Sequence, residues 1–236
     1  MCCLFGFIDC GRTLSARRKT MLIQALAAES EARGTDAAGI AYNSGGRLRL
    51  YKRPGPARKC GFRIPDDARV VMGHSRMTTQ GKAKYNKNNH PFSGKVPGTR
   101  FALAHNGVLY NDHILRAEKH LPHTGIQTDS YVAVQLIEQQ RALTPDSLKY
   151  MAESVEGSFV FTLLDEMDNL YFVKGDNPLC LLQFPRLGLY LYASTREILQ
   201  NAVRRTWLAG EKGQEIPVQG GDILRIDRAG RRWTDH

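Results

Sequence analysis

Met1-Cys2-Cys3-Leu4-Phe5-Gly6-Phe7 opens the chain, and the fold turns on how this stretch is read. A cysteine directly after the initiator methionine becomes N-terminal once that methionine is removed. One residue then carries a thiol and a free α-amine. The amine has an ordinary pKa of about 8 and the thiol one of about 8.5. At neutral pH such an amine can take the proton of its own nucleophile, so no separate histidine is required. Leu4 to Ile8 is a short apolar run, which predicts a buried strand that fixes the terminus inside the fold. The plainer alternative is an ordinary buried cysteine that happens to come second. The motifs further along decide between the two.

Outward from that strand, Leu14 to Arg33 reads as a helix, with an apolar stripe through Met21, Leu22, Ala25 and Leu26 and with Gly34 as its stop. Arg33 to Gly39 is a tight turn into a strand at Ile40 to Asn43. Gly45-Gly46 then turns into another at Leu48 to Lys52, a hairpin signal. Val70 to Met72 is a short strand ending at Gly73-His74-Ser75-Arg76. Met77 to Arg100 shows no periodicity, and so long a structureless stretch inside a domain is usually functional. Phe101 to His105 is a strand that ends at an Asn106-Gly107 turn. Helices follow at Asn111 to His120, Tyr131 to Gln139 and Pro145 to Val155, the second opened by Thr128-Asp129-Ser130. The remainder is strand-rich (158–164, 171–174, 179–184, 189–193 and 222–226), with one helix from Thr195 to Trp207. Strands cluster at both ends of the sequence. This predicts one α+β domain over residues 1–236, two antiparallel sheets packed face to face with helices outside.

Composition narrows the classes. No apolar run approaches the roughly 20 residues that span a bilayer, and no secretory signal precedes the first strand. The five cysteines have no paired spacing, which predicts the reducing cytosol rather than a disulfide framework. Net charge is +10, but the basic residues are scattered and not interleaved with aromatics, so nucleic acid is not expected as a partner. The seven histidines and five cysteines show no metal spacing, and neither a metal nor another cofactor is expected.

Five segments stand out together: the N-terminal cysteine, Gly73-His74-Ser75-Arg76, Asn89-His90-Pro91, His105-Asn106-Gly107 and Thr128-Asp129. Arg33 to Gly39 (Arg-Gly-x-Asp-x-x-Gly) and Gly175 to Pro178 (Gly-Asp-x-Pro) accompany them. Each is weak alone. In this order they resemble the glutaminase domain of the class II, N-terminal-cysteine glutamine amidotransferases, from Cys2 to about Ile226. The resemblance implies an N-terminal-nucleophile hydrolase fold, an αββα sandwich. It also implies hydrolysis of glutamine to glutamate and ammonia through a thioester on Cys2.

The residues suit those roles. Arg76 offers a planar fork of donors for an α-carboxylate. Asp129 supplies a fixed negative charge for the α-ammonium, and with Thr128 it is also a candidate helix cap. Asn106 and Gly107 supply a side-chain amide and a backbone N–H for an oxyanion hole. Thr79 and His90 are expected to line the substrate pocket, while His74 and His105 read as structural. Cys3, Met77 and Gln80 depart from the family pattern, which has Gly, Trp and His there.

No nucleotide-binding signature follows the glutaminase motifs, and the chain stops at His236. The leading expectation is therefore a stand-alone glutaminase subunit that supplies ammonia to a separate acceptor-binding partner. The alternatives are an autonomous hydrolase of γ-glutamyl amides or peptides, and a non-catalytic binding module.

Overall fold

The structure, a computed structural model, describes residues 2–236. The expected loss of Met1 lies outside the described residues. Strand β1 (Cys3–Asp9) is buried along its whole length. It is central in a seven-stranded sheet and covered on both faces, so it has no polar face to show. Its partners are β4 (Val70–Arg76) and β10 (Leu189–Ala193), both antiparallel. The hairpin β2 (Ala37–Ser44) and β3 (Arg47–Pro54) extends the sheet beyond β4. Gly45 and Gly46 form its turn, both at positive φ as a two-residue hairpin requires. On the other side β9 (Cys180–Phe184) and β11 (Gln214–Ile216) complete it.

The second sheet has six strands. In chain order they are β5 (Phe92–Val96), β6 (Thr99–Leu109), β7 (Gly157–Asp165), β8 (Leu170–Lys174), β12 (Ile223–Ile226) and β13 (Arg232–Asp235). They lie side by side in the order β13-β12-β8-β7-β6-β5. Helices α1 (Ala16–Ser30) and α5 (Arg196–Arg204) cover the first sheet. On the second sheet lie α2 (Asp112–Glu118), α3 (Tyr131–Gln140) and α4 (Pro145–Ser154). Ser15 caps α1 through Arg18 N–H, and a Thr144–Ser147 capping box opens α4. Side-chain alternation divides the core accordingly. Phe5 and Phe7 face the helices, whereas Leu4 and Ile8 meet Ala102, Ala104 and Phe172 between the sheets. The expected αββα sandwich is the observed one. Among the described residues no helix is long and apolar enough to cross a membrane.

Three local expectations change. α1 ends at Ser30, and Gly34 does not stop it. Gly34 is glycine because a Cβ there would lie 2.4 Å from the Arg76 carbonyl carbon. Asn106-Gly107 is not a turn: β6 runs on through it to Leu109. The aperiodic stretch contains β5, whose alternation is weakened by a glycine at its middle.

Candidate active site

Cys2 precedes β1 and shares the face of Leu4 and Ile8, so it points into the space between the sheets. It is 8% exposed, and its Sγ donates to the Met77 carbonyl at 3.4 Å. Burial pushes its thiol above the ordinary value, while the Arg76 guanidinium pulls the other way. Arg33 Nε holds the Cys2 carbonyl at 2.9 Å. Cys3 faces the helix-side core, fully buried, and burial pushes its thiol up to about 11. The two adjacent cysteines therefore differ in kind: one borders a cleft and the other is packing.

That cleft, a narrow one of about 10 Å³, is lined by Cys2, Arg76, Thr79, His90, Gly107 and Asp129, together with Met77, Gln80, His105, Thr128 and Ser130. Six of the seven residues singled out in the sequence thus come together. Asn106 is the seventh. It shares the inward face of Ala102 and Ala104, and its Nδ2 lies 3.4 Å from Ser194 Oγ. Ser194 Oγ also accepts the Leu4 N–H at 2.9 Å, which ties Asn106 to the strand that carries Cys2.

Gly107 occupies a special position on β6. Phe159, opposite it on β7, gives its N–H to Asp176 Oδ1 (3.0 Å) and its carbonyl to Gly175 N–H (3.1 Å), both away from β6. Both backbone groups of an antiparallel residue point to one side. Gly107 therefore presents its N–H to the opposite edge of β6. β5 reaches only to the Phe92–Leu103 pair, so that edge is open at Gly107. Leu109 uses the same edge to donate to Asp129 Oδ2 at 2.7 Å. Gly107 has φ +150°, and a Cβ there would lie 1.8 Å from the Ser158 carbonyl oxygen, so no side chain can stand here.

Arg76 ends β4 and is 3% exposed. Its Nη1 donates to Asn89 Oδ1 (2.7 Å), and its Nη2 to the carbonyls of Gln80 (2.5 Å) and Gly81 (3.0 Å). Three of the five donors of the guanidinium hold the loop, and two remain for a ligand. The loop is braced further by Asn88, which exchanges two bonds of 3.0 Å with Gln127, and by Asn89 Nδ2 on the Ala83 carbonyl at 2.8 Å.

Asp129 does not cap α3, and neither does Thr128: the cap position belongs to Ser130, which makes no side-chain cap bond. The Asp129 carboxylate accepts from Leu109 N–H and, at 3.3 Å, from Ser130 Oγ, which is also 2.8 Å from His105 Nδ1. Lone pairs remain on it for a cation. Three buried histidines lie beneath the cleft. Burial brings His74 down to about 3, His90 well below its ordinary value, and His105 down as well, with Asp129 opposing the shift at His105. All three are neutral imidazoles at neutral pH. His74 donates from Nε2 to the His105 carbonyl at 3.0 Å. His74 and His90 stack at 4.1 Å, and neither ring nitrogen of His90 has a partner among the described residues.

Residues 74–201 match the model of a glutamine amidotransferase domain. The chain belongs to the class II glutamine amidotransferases. Over 188 residues this amidotransferase domain is 32% identical to the isomerizing glutamine–fructose-6-phosphate aminotransferase of Listeria innocua, covering 77% of the present chain and 30% of that enzyme. The Staphylococcus epidermidis enzyme of the same name is 32% identical over 188 residues, 76% of this chain and 30% of that one. The amidotransferase chain thus spans under a third of the length of these relatives. Its fold superposes on the glutamine phosphoribosylpyrophosphate amidotransferase of B. subtilis, complexed with ADP and GMP. The TM-score is 0.74 at 20% identity, over 99% of this chain and 48% of that one. A second solved structure, the allosteric regulatory enzyme of purine biosynthesis, gives a TM-score of 0.76 at 20% identity with the same coverage. These two likenesses establish the N-terminal-nucleophile hydrolase fold.

Sequence reasoning placed Asn89 in a motif without giving it a role, and missed Ser194 and Asn177, whose Nδ2 donates to the Asn106 carbonyl at 2.9 Å. For Asn177 the Gly-Asp-x-Pro segment was a signal of place, though not of role.

Proposed function

We propose that this domain hydrolyses glutamine to glutamate and ammonia through a thioester on Cys2, and delivers the ammonia to a separate acceptor-binding partner. The observation that carries this reading is the convergence of Cys2, the open Gly107 N–H edge, Arg76 and Asp129 on one small cleft. Arg76 takes the α-carboxylate with its two remaining donors, and Asp129 takes the α-ammonium. The side-chain amide carbon then lies toward Cys2. Cys2 Sγ bonds to a carbonyl and not to an imidazole, and burial makes His74 and His90 weak proton acceptors. The proton acceptor is therefore the α-amine of Cys2 once it is N-terminal. Sulfur attacks the amide carbon, and the carbonyl oxygen becomes an oxyanion facing Gly107 N–H and Asn106 Nδ2. The C–N bond breaks as the nitrogen takes the proton from the amine and leaves as ammonia. Water, deprotonated by the same amine, then releases glutamate from the thioester.

The test is glutamate release from L-glutamine and from a γ-glutamyl peptide, with and without Cys2→Ala. Cys2→Ala is expected to abolish release. Asn106→Ala is expected to lower kcat by about 10²–10³. Faster turnover of the peptide than of glutamine, by the chain alone, would replace this reading with that of an autonomous hydrolase.

A further inference from the structure

We infer that Asn177 is a positioning residue for the oxyanion hole: its side-chain amide, bonded to the Asn106 carbonyl, orients and polarises the peptide whose N–H is that of Gly107. Asn177 has this role only if the glutaminase reading holds. The carbonyl of Asn106 and the N–H of Gly107 belong to one planar, conjugated unit. A donor on the carbonyl end draws electron density from the nitrogen end and makes its N–H a stronger donor, by about 10–30% per bond in such chains. The bond from Asn177 Nδ2 is 2.9 Å. The backbone of Asn106 is also paired with Val160 in the ladder; its side chain is held only from Nδ2, 3.4 Å from Ser194 Oγ, and its Oδ1 has no partner among the described residues. The backbone of Asn106 is thus fixed more firmly than its side chain.

Asn177 is itself held by the frame it acts on. The turn that carries it is pinned to Phe159, the residue opposite Gly107: Gly175 N–H donates to the Phe159 carbonyl, and Asp176 Oδ1 accepts the Phe159 N–H. Asn177 is only half-buried, and it is not among the residues that line the cleft with Arg76 and Asp129. Its effect therefore grows as charge develops on the carbonyl oxygen, which places it in kcat and not in KM.

The test is steady-state glutamate release by the full chain carrying Asn177→Ala or Asn177→Asp, with melting temperatures alongside. Asn177→Asp keeps the shape and removes the donor. Both are expected to lower kcat about tenfold, less than loss of an oxyanion donor itself. KM should stay within about twofold, and the melting temperature should not move in step with kcat. The 15N shift of the Gly107 amide, which reports hydrogen bonding at the preceding carbonyl, should change in both variants even without turnover. Unchanged kcat and an unchanged Gly107 shift in Asn177→Asp would overturn the role. So would a rise in KM with kcat intact. If the wild-type chain releases no glutamate, or Cys2→Ala releases as much, the glutaminase reading falls first and the role of Asn177 with it.

Discussion

The guanidinium of Arg76 is used twice, once for the loop and once, in the proposed reaction, for the substrate. Its three loop bonds diverge to two carbonyls and one amide oxygen. A lysine has three donors on a flexible stem, so holding that set would leave it none for a carboxylate. Arg76→Lys is therefore expected to raise KM for glutamine by about 10–100-fold, the worth of one hydrogen bond to a charged group. Steady-state kinetics check this, and an unchanged KM would remove Arg76 from the substrate. The residues proposed to meet the ligand with their own chemistry, Cys2, Arg76, Asp129 and the Asn106-Gly107 pair, were singled out in the sequence, and the fold gathers them around one cleft. The roles of Asn89, Asn177 and Ser194 were not legible, because an amide or a hydroxyl has no role until the fold decides which group it faces.

Among the elements, the segment between β4 and β5 departs most from its sequence. A polar, lysine-rich stretch without periodicity reads as chain that orders only on a ligand or partner. In the fold it is cross-braced by its own asparagines, with Asn88 fully buried and in mutual bonds with Gln127. Asn88→Ala is expected to speed amide exchange over residues 77–90 and leave β1 unchanged. KM should rise severalfold, because the carbonyls of Gln80 and Gly81 lose their fixed place on Arg76. Hydrogen exchange by mass spectrometry with matched kinetics measures both. The strands with apolar runs were legible, β1 above all. β6 was cut short because Asn-Gly ordinarily marks a turn. Here the glycine serves instead to bring two strands within a distance that no Cβ permits.

At the scale of the whole molecule, three apolar layers are stacked; His74 shares the inter-sheet face of Met72, whereas His105 stacks on Phe161 in the layer beneath the helices of the second sheet. An unfolded histidine titrates at about 6.5. In the fold His74 holds to about 3, and His90 and His105 are also depressed by burial. Below about 6.5 the unfolded chain binds more protons than the folded one, so this stability is complete above that pH and is lost as the pH falls. Each such group is worth about 1.4 kcal/mol per pH unit at most. Urea midpoints are expected to drop steeply from pH 7 to pH 5, and His90→Phe, which keeps the ring stack, should flatten the slope. Equal slopes for both proteins would show that His90 takes up its proton without unfolding. The layer order was legible because strands that read as unbroken apolar runs, such as β1 and β10, must bury both faces. The short outer strands β11 and β13 were not, since they are mostly exposed and carry little apolar pattern.

The bond between Leu4 and Ser194 spans 190 residues of sequence. A ribosome adding about 5–20 residues per second delivers the second partner roughly 10–40 s after the first. Until then β1 lacks β10, Asn106 lacks the hydroxyl that ties it to β1, and the cleft has not closed around the thiol. In the proposed reaction the nascent chain carries its nucleophile from the start of synthesis and has nothing to aim it with until Ser194 has been added.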